Sequence, residues 1–268
     1  MSGLTVASQA VGWDDPKTAR YYEQFCERHD RYRRANEALV AHAALGPGQR
    51  VLDGGAGTGG TAELALPHLG SEGRIVCLEP AHAMRARGER QLRDARVTWR
   101  AGWPEPPSRF DRILCGAAIW QLLPLGETFP QLRDLLAPGG ALCFNIPALY
   151  LGEPDEPGGG RDPLLLELPA LLAEGRGSTA PPGEPLPDAA GIEALLCTAG
   201  FRAVGWSFRL QLTQAEYRDW LKIPVLTDHL LGDVDPEARA ELIDRAFERV
   251  DRGSWRWERW RGWTAWAM

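Results

Sequence analysis

Val51-Leu52-Asp53-Gly54-Gly55-Ala56-Gly57-Thr58-Gly59-Gly60 reads as a buried strand that stops on an acid, a glycine-rich turn, and the start of a helix. Glycine lets the backbone pass close to a ligand where any Cβ would intrude. The unpaired N–H groups of the following helix face the same spot. The stretch therefore predicts a cradle for a nucleotide-like cofactor. Gly55, Gly57 and Gly60 satisfy G-x-G-x-x-G, the dinucleotide pattern. Gly55, Gly57 and Gly59 equally satisfy G-x-G-x-G, with Asp53 two residues ahead. A second short apolar run, Arg74-Ile75-Val76-Cys77-Leu78, ends on Glu79-Pro80, 20 residues after Gly59. A carboxylate at that distance can accept hydrogen bonds from ribose hydroxyls. More than one cofactor class carries that ribose, so Glu79 alone leaves the choice open.

The order of the downstream motifs decides it. Leu52 to Gly59 resembles motif I of the class I S-adenosylmethionine-dependent methyltransferases, hydrophobic-Leu-Asp-x-Gly-x-Gly-x-Gly. Glu79-Pro80, with Met84 just beyond, resembles their ribose-binding acid and adenine-flanking segment. Phe110-Asp111-Arg112-Ile113-Leu114-Cys115-Gly116-Ala117-Ala118 is similar to their fourth motif, and Leu135 to Leu142 to the helix, turn and strand that follow. The four matches fall in order over residues 50–147 and point to the small-molecule branch of the family, of ubiquinone/menaquinone or natural-product type. The resemblance implies S-adenosylmethionine as cofactor, S-adenosylhomocysteine as product and no metal. It assigns cofactor contact to Asp53, Gly54, Gly55, Gly57, Thr58, Gly59, Glu79, Pro80, Met84, Gly102, Trp103 and Cys115. A cationic sulfonium ligand gives the acidic strand ends a purpose, whereas a pyrophosphate does not favour Asp53 beside the loop.

Three departures from the family pattern matter. Its third motif usually carries an acid for the adenine amino group. Here the stretch is Ala101-Gly102-Trp103-Pro104, so Trp103 either stacks on the ring or packs in the core. Its fourth motif often closes on histidine. Here the pair is Trp120-Gln121, read as wall of the substrate pocket. An Asn/Asp-Pro-Pro-aromatic tetrad does not occur at 115–118, which argues against methylation of adenine or glutamine nitrogen.

Residues 17–44 carry one helical pattern, with Tyr22, Phe25, Cys26, His29, Tyr32, Arg33 and Asn36 at three- and four-residue steps. In the resembled enzymes such a helix covers the cofactor and closes the pocket. Tyr21 is then a substrate contact and Tyr22 a contact to cofactor or substrate with a possible catalytic role. His29 is either a general base, for which its ordinary pKa is suited, or a surface histidine beside Asp30.

The expected fold class is α/β: a Rossmann-like, doubly wound, seven-stranded sheet with an antiparallel last strand, an N-terminal helical cap and a lid insertion. The segments are a cap (1–46), the cofactor-binding core (47–147), a Gly/Pro-rich lid with a leucine-rich helix near 163–172 (148–187), and the C-terminal part of the core (188–268). In that last part helices are predicted near 191–196, 213–221 and 236–250, an alternating strand at 204–212, and a final strand at 263–268. The tail Trp255-Arg256-Trp257-Glu258-Arg259-Trp260-Arg261-Gly262-Trp263 either stacks on nucleic acid or packs tryptophans under the sheet edge with arginines outward. The acidic Asp251 and Glu258 favour packing.

Composition sets the bounds. The 268 residues are 44% hydrophobic and 25% charged, with a net charge of −6 that argues against nucleic acid as partner. No apolar run approaches the ~20 residues of a membrane span, and Met1 to Thr5 lacks a secretory pattern, so a cytoplasmic monomer or homodimer is expected. Five cysteines, three of them in predicted strands, suggest neither disulfides nor metal. The expected activity is methyl transfer by in-line displacement to carbon or oxygen of a small aromatic or apolar molecule, such as an indole or phenol. The alternatives are an NAD(P)-dependent Rossmann oxidoreductase, for which no hydride-transfer site is evident, and a cofactor-binding protein without transfer activity.

Overall fold

A computed structural model describes residues 12–104, 109–122, 124–153, 164, 167–168, 186–232, 234–250 and 255–268. Its centre is a parallel sheet whose strands read as apolar runs because helices cover both faces. The strands are β1 (Arg50–Gly54), β2 (Arg74–Leu78), β3 (Val97–Arg100), β4 (Phe110–Cys115), β5 (Leu136–Pro147), β6 (Phe201–Thr213) and β7 (Trp255–Ala267). Their spatial order is β3-β2-β1-β4-β5-β7-β6, with β7 antiparallel to both neighbours. The switch from β2 on one side of β1 to β4 on the other sits at the glycine loop, where ligands bind in such sheets.

The helices are α1 (Pro16–Arg28), α2 (Arg31–His42), α3 (Gly60–Ala65), α4 (His82–Gln91), α5 (Leu125–Asp134), α6 (Ala189–Thr198), α7 (Gln214–Leu221), α8 (Pro224–Leu231) and α9 (Pro236–Phe247). On one face of the sheet α2 and α3 bury Leu39, Ala62 and Ala65 against Val51, Ile75 and Leu114. On the other, α5 and α6 bury Phe129, Leu132, Ile192 and Leu196 against Ile113, Leu142 and Phe144. Phe144 stacks on Trp263 with ring centroids 5.3 Å apart and meets Phe129 at a tilt at 5.7 Å.

The structure corrects the sequence reading in four places. The single helix expected over 17–44 is two. His29 is extended (φ −132°, ψ 147°), and Asp30 begins α2 as its N-cap residue, a position that aspartate favours. The three- and four-residue spacing continues across the break, which hides it. Second, the last strand starts at Trp255, because β6 is paired along its whole length, to Thr213 opposite Trp255. Third, strand alternation places Arg256, Glu258 and Trp260 on one face and Arg259 and Arg261 on the other, so the arginines do not all lie outward. Fourth, α8, with Pro224 in its first turn, was not foreseen. Most of the expected lid lies outside the described residues. Of its leucine-rich helix, Leu164 and Leu168 pack on Tyr217, Leu221 and Ile243. Among the described residues no helix is long and apolar enough to cross a membrane.

Phe144 is fully buried at the centre of this packing. Phe144→Ala is expected to lower unfolding free energy by about 3–5 kcal/mol in denaturant titration; a loss below about 1 kcal/mol would contradict the packing described.

Candidate active site

The carboxyl ends of β1, β2, β4 and β5 open on a cavity of about 690 Å³, within the roughly 300–1,000 Å³ that ligand sites occupy. At one end lie Gly55, Ala56, Gly57, Glu79, Pro80, Met84 and Trp103. At the other lie Trp120, Gln121, Pro147, Tyr150, Trp220 and Trp260, and Trp13, Tyr22 and Tyr32 also line it.

The first end is shaped by backbone. Gly55, Gly57 and Gly59 have φ of 73°, 56° and 94°, a region that favours glycine. A Cβ on Gly55 would stand 2.6 Å from Ala118 Cβ. The Glu79 carboxylate fastens the loop: Oε2 accepts from the Gly57 N–H and Oε1 from the Ala81 N–H, each at 2.8 Å. Each oxygen keeps a second acceptor position. Burial raises the Glu79 pKa above the ordinary carboxylate value, and the two amides partly offset that.

Asp53 sits behind the loop, fully buried, and among the described residues neither of its oxygens has a hydrogen-bond partner. Burial pushes its carboxyl up to about 7; the nearby Ala62 amide lowers it somewhat and the Glu79 charge raises it. S-adenosylmethionine fits this end. Its ribose diol would supply two donors for Glu79, a Cβ on Gly57 would come no nearer than 3.6 Å to Met84 Cε and so would fill space open to the cavity, and the cofactor's positive groups suit an acidic surround.

The second end is aromatic. Trp120 meets Tyr150 edge to face at 5.0 Å. The Trp220 indole N–H donates to the Tyr32 hydroxyl at 2.9 Å. Ala117, a non-glycine residue at φ 51°, is held in this wall by Asn145, whose Oδ1 accepts the Ala117 N–H at 2.8 Å and whose Nδ2 donates to Ala35 O at 2.9 Å. Such a conformation costs about 1 kcal/mol or more.

Of the residues singled out by sequence, Tyr22, Gly55, Gly57, Glu79, Pro80, Met84, Trp103, Trp120 and Gln121 line this one cavity. Thr58, Gly59 and His29 line an adjoining groove of about 380 Å³ that shares Tyr22, Tyr32, Asn36 and Gly60 with it. His29 Nε2 is 2.9 Å from Asp219 Oδ2. Asp53, Gly54, Gly102 and Cys115 line neither, nor does Tyr21, which carries the Arg20 guanidinium over its ring at 5.2 Å. Burial raises the Tyr22 hydroxyl well above the usual phenol pKa. Sequence reasoning missed Trp13, Arg31, Tyr150, Trp220 and Trp260 as cavity wall. Asn36, found only as part of a helix face, has its Oδ1 buried without a partner.

Comparison with known proteins identifies the family and the fold. The family pattern described as "Methyltransferase domain" matches residues 27–204. A trans-aconitate 2-methyltransferase of Variovorax paradoxus is 31% identical over 139 residues, 51% of this chain and 51% of that protein. The ubiquinone/menaquinone biosynthesis C-methyltransferase UbiE of Coxiella burnetii is 29% identical over 121 residues, 41% of this chain and 48% of that protein. The matches thus span about half the length of these curated relatives. In fold, the phosphoethanolamine N-methyltransferase 2 of Haemonchus contortus, solved with S-adenosyl-L-methionine, aligns at a TM-score of 0.52 and 19% identity over 87% of this chain and 52% of that one. The chain belongs to the methyltransferase-domain family and has its class I, Rossmann-like fold.

The pKa of Asp53 carries a stability signature. A carboxyl raised in the folded state is neutral in both states well below about pH 4, costs the fold increasingly as pH rises from about 4 to about 7, and costs a constant amount above that. Asp53→Asn is therefore expected to raise Tm over the ligand-free wild type at about pH 8 and to leave it nearly unchanged at about pH 4. An equal effect at both pH values would refute the buried, unpaired carboxylate.

Proposed function

We propose that this protein transfers a methyl group from S-adenosylmethionine to carbon or oxygen of a small, flat, largely aromatic molecule. The observation that carries the reading is that the glycine cradle with Glu79 and the aromatic wall of Trp120, Tyr150, Trp220 and Trp260 are two ends of one cavity. The cofactor, when bound, supplies an electrophilic methyl group on a sulfonium that is its own leaving group. The protein's task is then to position two reactants and keep water out.

In this reading Glu79 accepts the ribose hydroxyls through the lone pairs that Gly57 and Ala81 leave open. Gly57 would admit the cofactor close to the backbone, Gly55 lets the loop close on Ala118, and Pro80, Met84 and Trp103 would flank the adenine. Asp53, Gly54 and Cys115 support the cradle from behind, beside Gly102, Thr58 and Gly59. Asn36 Oδ1, buried and unpartnered, accepts a donor from the cofactor's amino-acid end. Trp120 and Gln121 form the acceptor's wall, and Tyr22 lines the seam between the two ends as a contact to cofactor or acceptor.

Among the described residues no histidine lines the larger cavity. That favours an acceptor needing no strong base, such as an electron-rich ring carbon of indole type. For a phenolic acceptor, His29 in the adjoining groove is the proton sink, its ring oriented by Asp219. The relatives are named for a C-methylation in ubiquinone/menaquinone biosynthesis and for a methylation of trans-aconitate; the aromatic lining here supports the ring-bearing class of acceptor.

Calorimetry is expected to show binding of S-adenosylmethionine and not of NAD, with affinity falling about ten- to a hundredfold in Glu79→Ala as charged hydrogen bonds are lost. Radiolabelled methyl should pass from the cofactor to a component of a metabolite extract. Binding of NAD alone, or an unchanged affinity in the variant, contradicts the reading.

A further inference from the structure

Arg31 is 3% exposed at the first turn of α2 and lines the cavity among the aromatic rings. Its side chain is fixed from two sides. Nε donates to Glu258 Oε2 at 2.9 Å and Nη2 donates to Glu258 Oε1. The guanidinium also lies over the Trp220 ring, 4.2 Å from its centroid. Glu258 is held in turn by the Trp260 indole N–H, which donates to Oε2 at 2.7 Å. The Glu258 carboxylate therefore takes three donors, while Arg31 Nη1 is buried and has no hydrogen-bond partner among the described residues. A buried donor left unpaired is costly, and this one belongs to a rigid, charged fork in the wall of a ligand-sized cavity.

The charge balance limits what can satisfy it. Glu258 already neutralises Arg31, and both are buried. A ligand carboxylate here would set two buried anions around one cation, a desolvation cost with half the compensation. A neutral oxygen adds a charge-assisted hydrogen bond without adding charge.

We propose that Arg31 selects the methyl acceptor: its Nη1 donates to an uncharged oxygen, carbonyl or hydroxyl, carried on a ring that lies among Trp220, Trp260 and Tyr150. This rests on the methyltransferase reading above and narrows its substrate to neutral, ring-borne ketones, phenols and their relatives. Trp220, Glu258 and Trp260 act as positioning residues for the fork.

The test uses three ring probes of similar size: acetophenone, benzoate and cumene. Their Kd values are measured by ligand-observed NMR on the full chain saturated with S-adenosylhomocysteine. In the wild type acetophenone is expected to bind more tightly than benzoate. In Arg31→Met/Glu258→Gln, which removes both charges together and leaves Trp260 a partner, the preference for acetophenone over cumene is expected to fall about tenfold. Arg31→Lys, which keeps the charge against Glu258 and removes the second fork nitrogen, should lower it in the same direction. Benzoate binding more tightly than acetophenone, or a preference over cumene that survives in the variants, overturns the proposal. Binding of S-adenosylhomocysteine is followed by calorimetry in each protein. If the wild type fails to bind it, the methyltransferase reading falls and this proposal with it; if it binds while the probe preferences do not move, only the role of Arg31 falls.

Discussion

Three consecutive amides of the glycine loop are tied to the end of β2. Leu78 O accepts from the N–H groups of Gly55 and Ala56 at 2.9 and 3.0 Å, and the Glu79 carboxylate accepts from Gly57 at 2.8 Å. The loop leaving β1 is thus shaped by the neighbouring strand rather than by a ligand. Every other part of the cofactor end depends on that. The positive φ angles of Gly55 and Gly57 follow from aiming successive N–H groups at one strand end, and the close approach of Gly55 to Ala118 brings the loop after β4 into the same wall. Glu79 is held by two amides on its inner lone pairs, so it presents the outer ones in a fixed direction before any ligand arrives. Preorganisation of this kind lowers the cost of binding.

The opposite end of the cavity has a different origin. β7 runs antiparallel between β5 and β6 and carries Glu258 and Trp260 to the mouth of the parallel strands. α7 adds Trp220, and the turn after β5 adds Tyr150. Trp220, Glu258 and Trp260 lie beyond residues 27–204, the part of the chain that matches the family pattern. The glycine-loop end of the cavity falls within the matched residues, whereas much of the aromatic end belongs to a segment outside them. Side-chain chemistry in the cavity therefore says more about the acceptor than kinship does.

The sequence shows the first end clearly because its determinants are local. Asp53 to Gly59 is one continuous stretch, Glu79 follows at a fixed strand-to-strand spacing, and alternating β and α signals order the sheet. The second end is nearly invisible for the opposite reason. Arg31 and Glu258 are 227 residues apart, and each alone reads as an ordinary surface charge on a helix or in an Arg/Trp-rich tail. Their meeting depends on two features that periodicity does not reveal: the break at His29-Asp30, which restarts the helix at Arg31, and the early start of β7 at Trp255. The spacing that made His29 look like one of a row of pocket residues runs on through the break, while the backbone there turns the imidazole to Asp219 in the adjoining groove.

The most direct measurement is the electron density of crystals grown with S-adenosylhomocysteine. Both ribose hydroxyls are expected on the Glu79 carboxylate, with the cofactor chain passing over Gly55 and Gly57 and the glycine loop keeping its hydrogen bonds to Leu78 and Glu79 unchanged. A cofactor seated elsewhere, or a loop that must release Glu79 to admit it, would contradict the central claim that this cradle is built before the ligand binds.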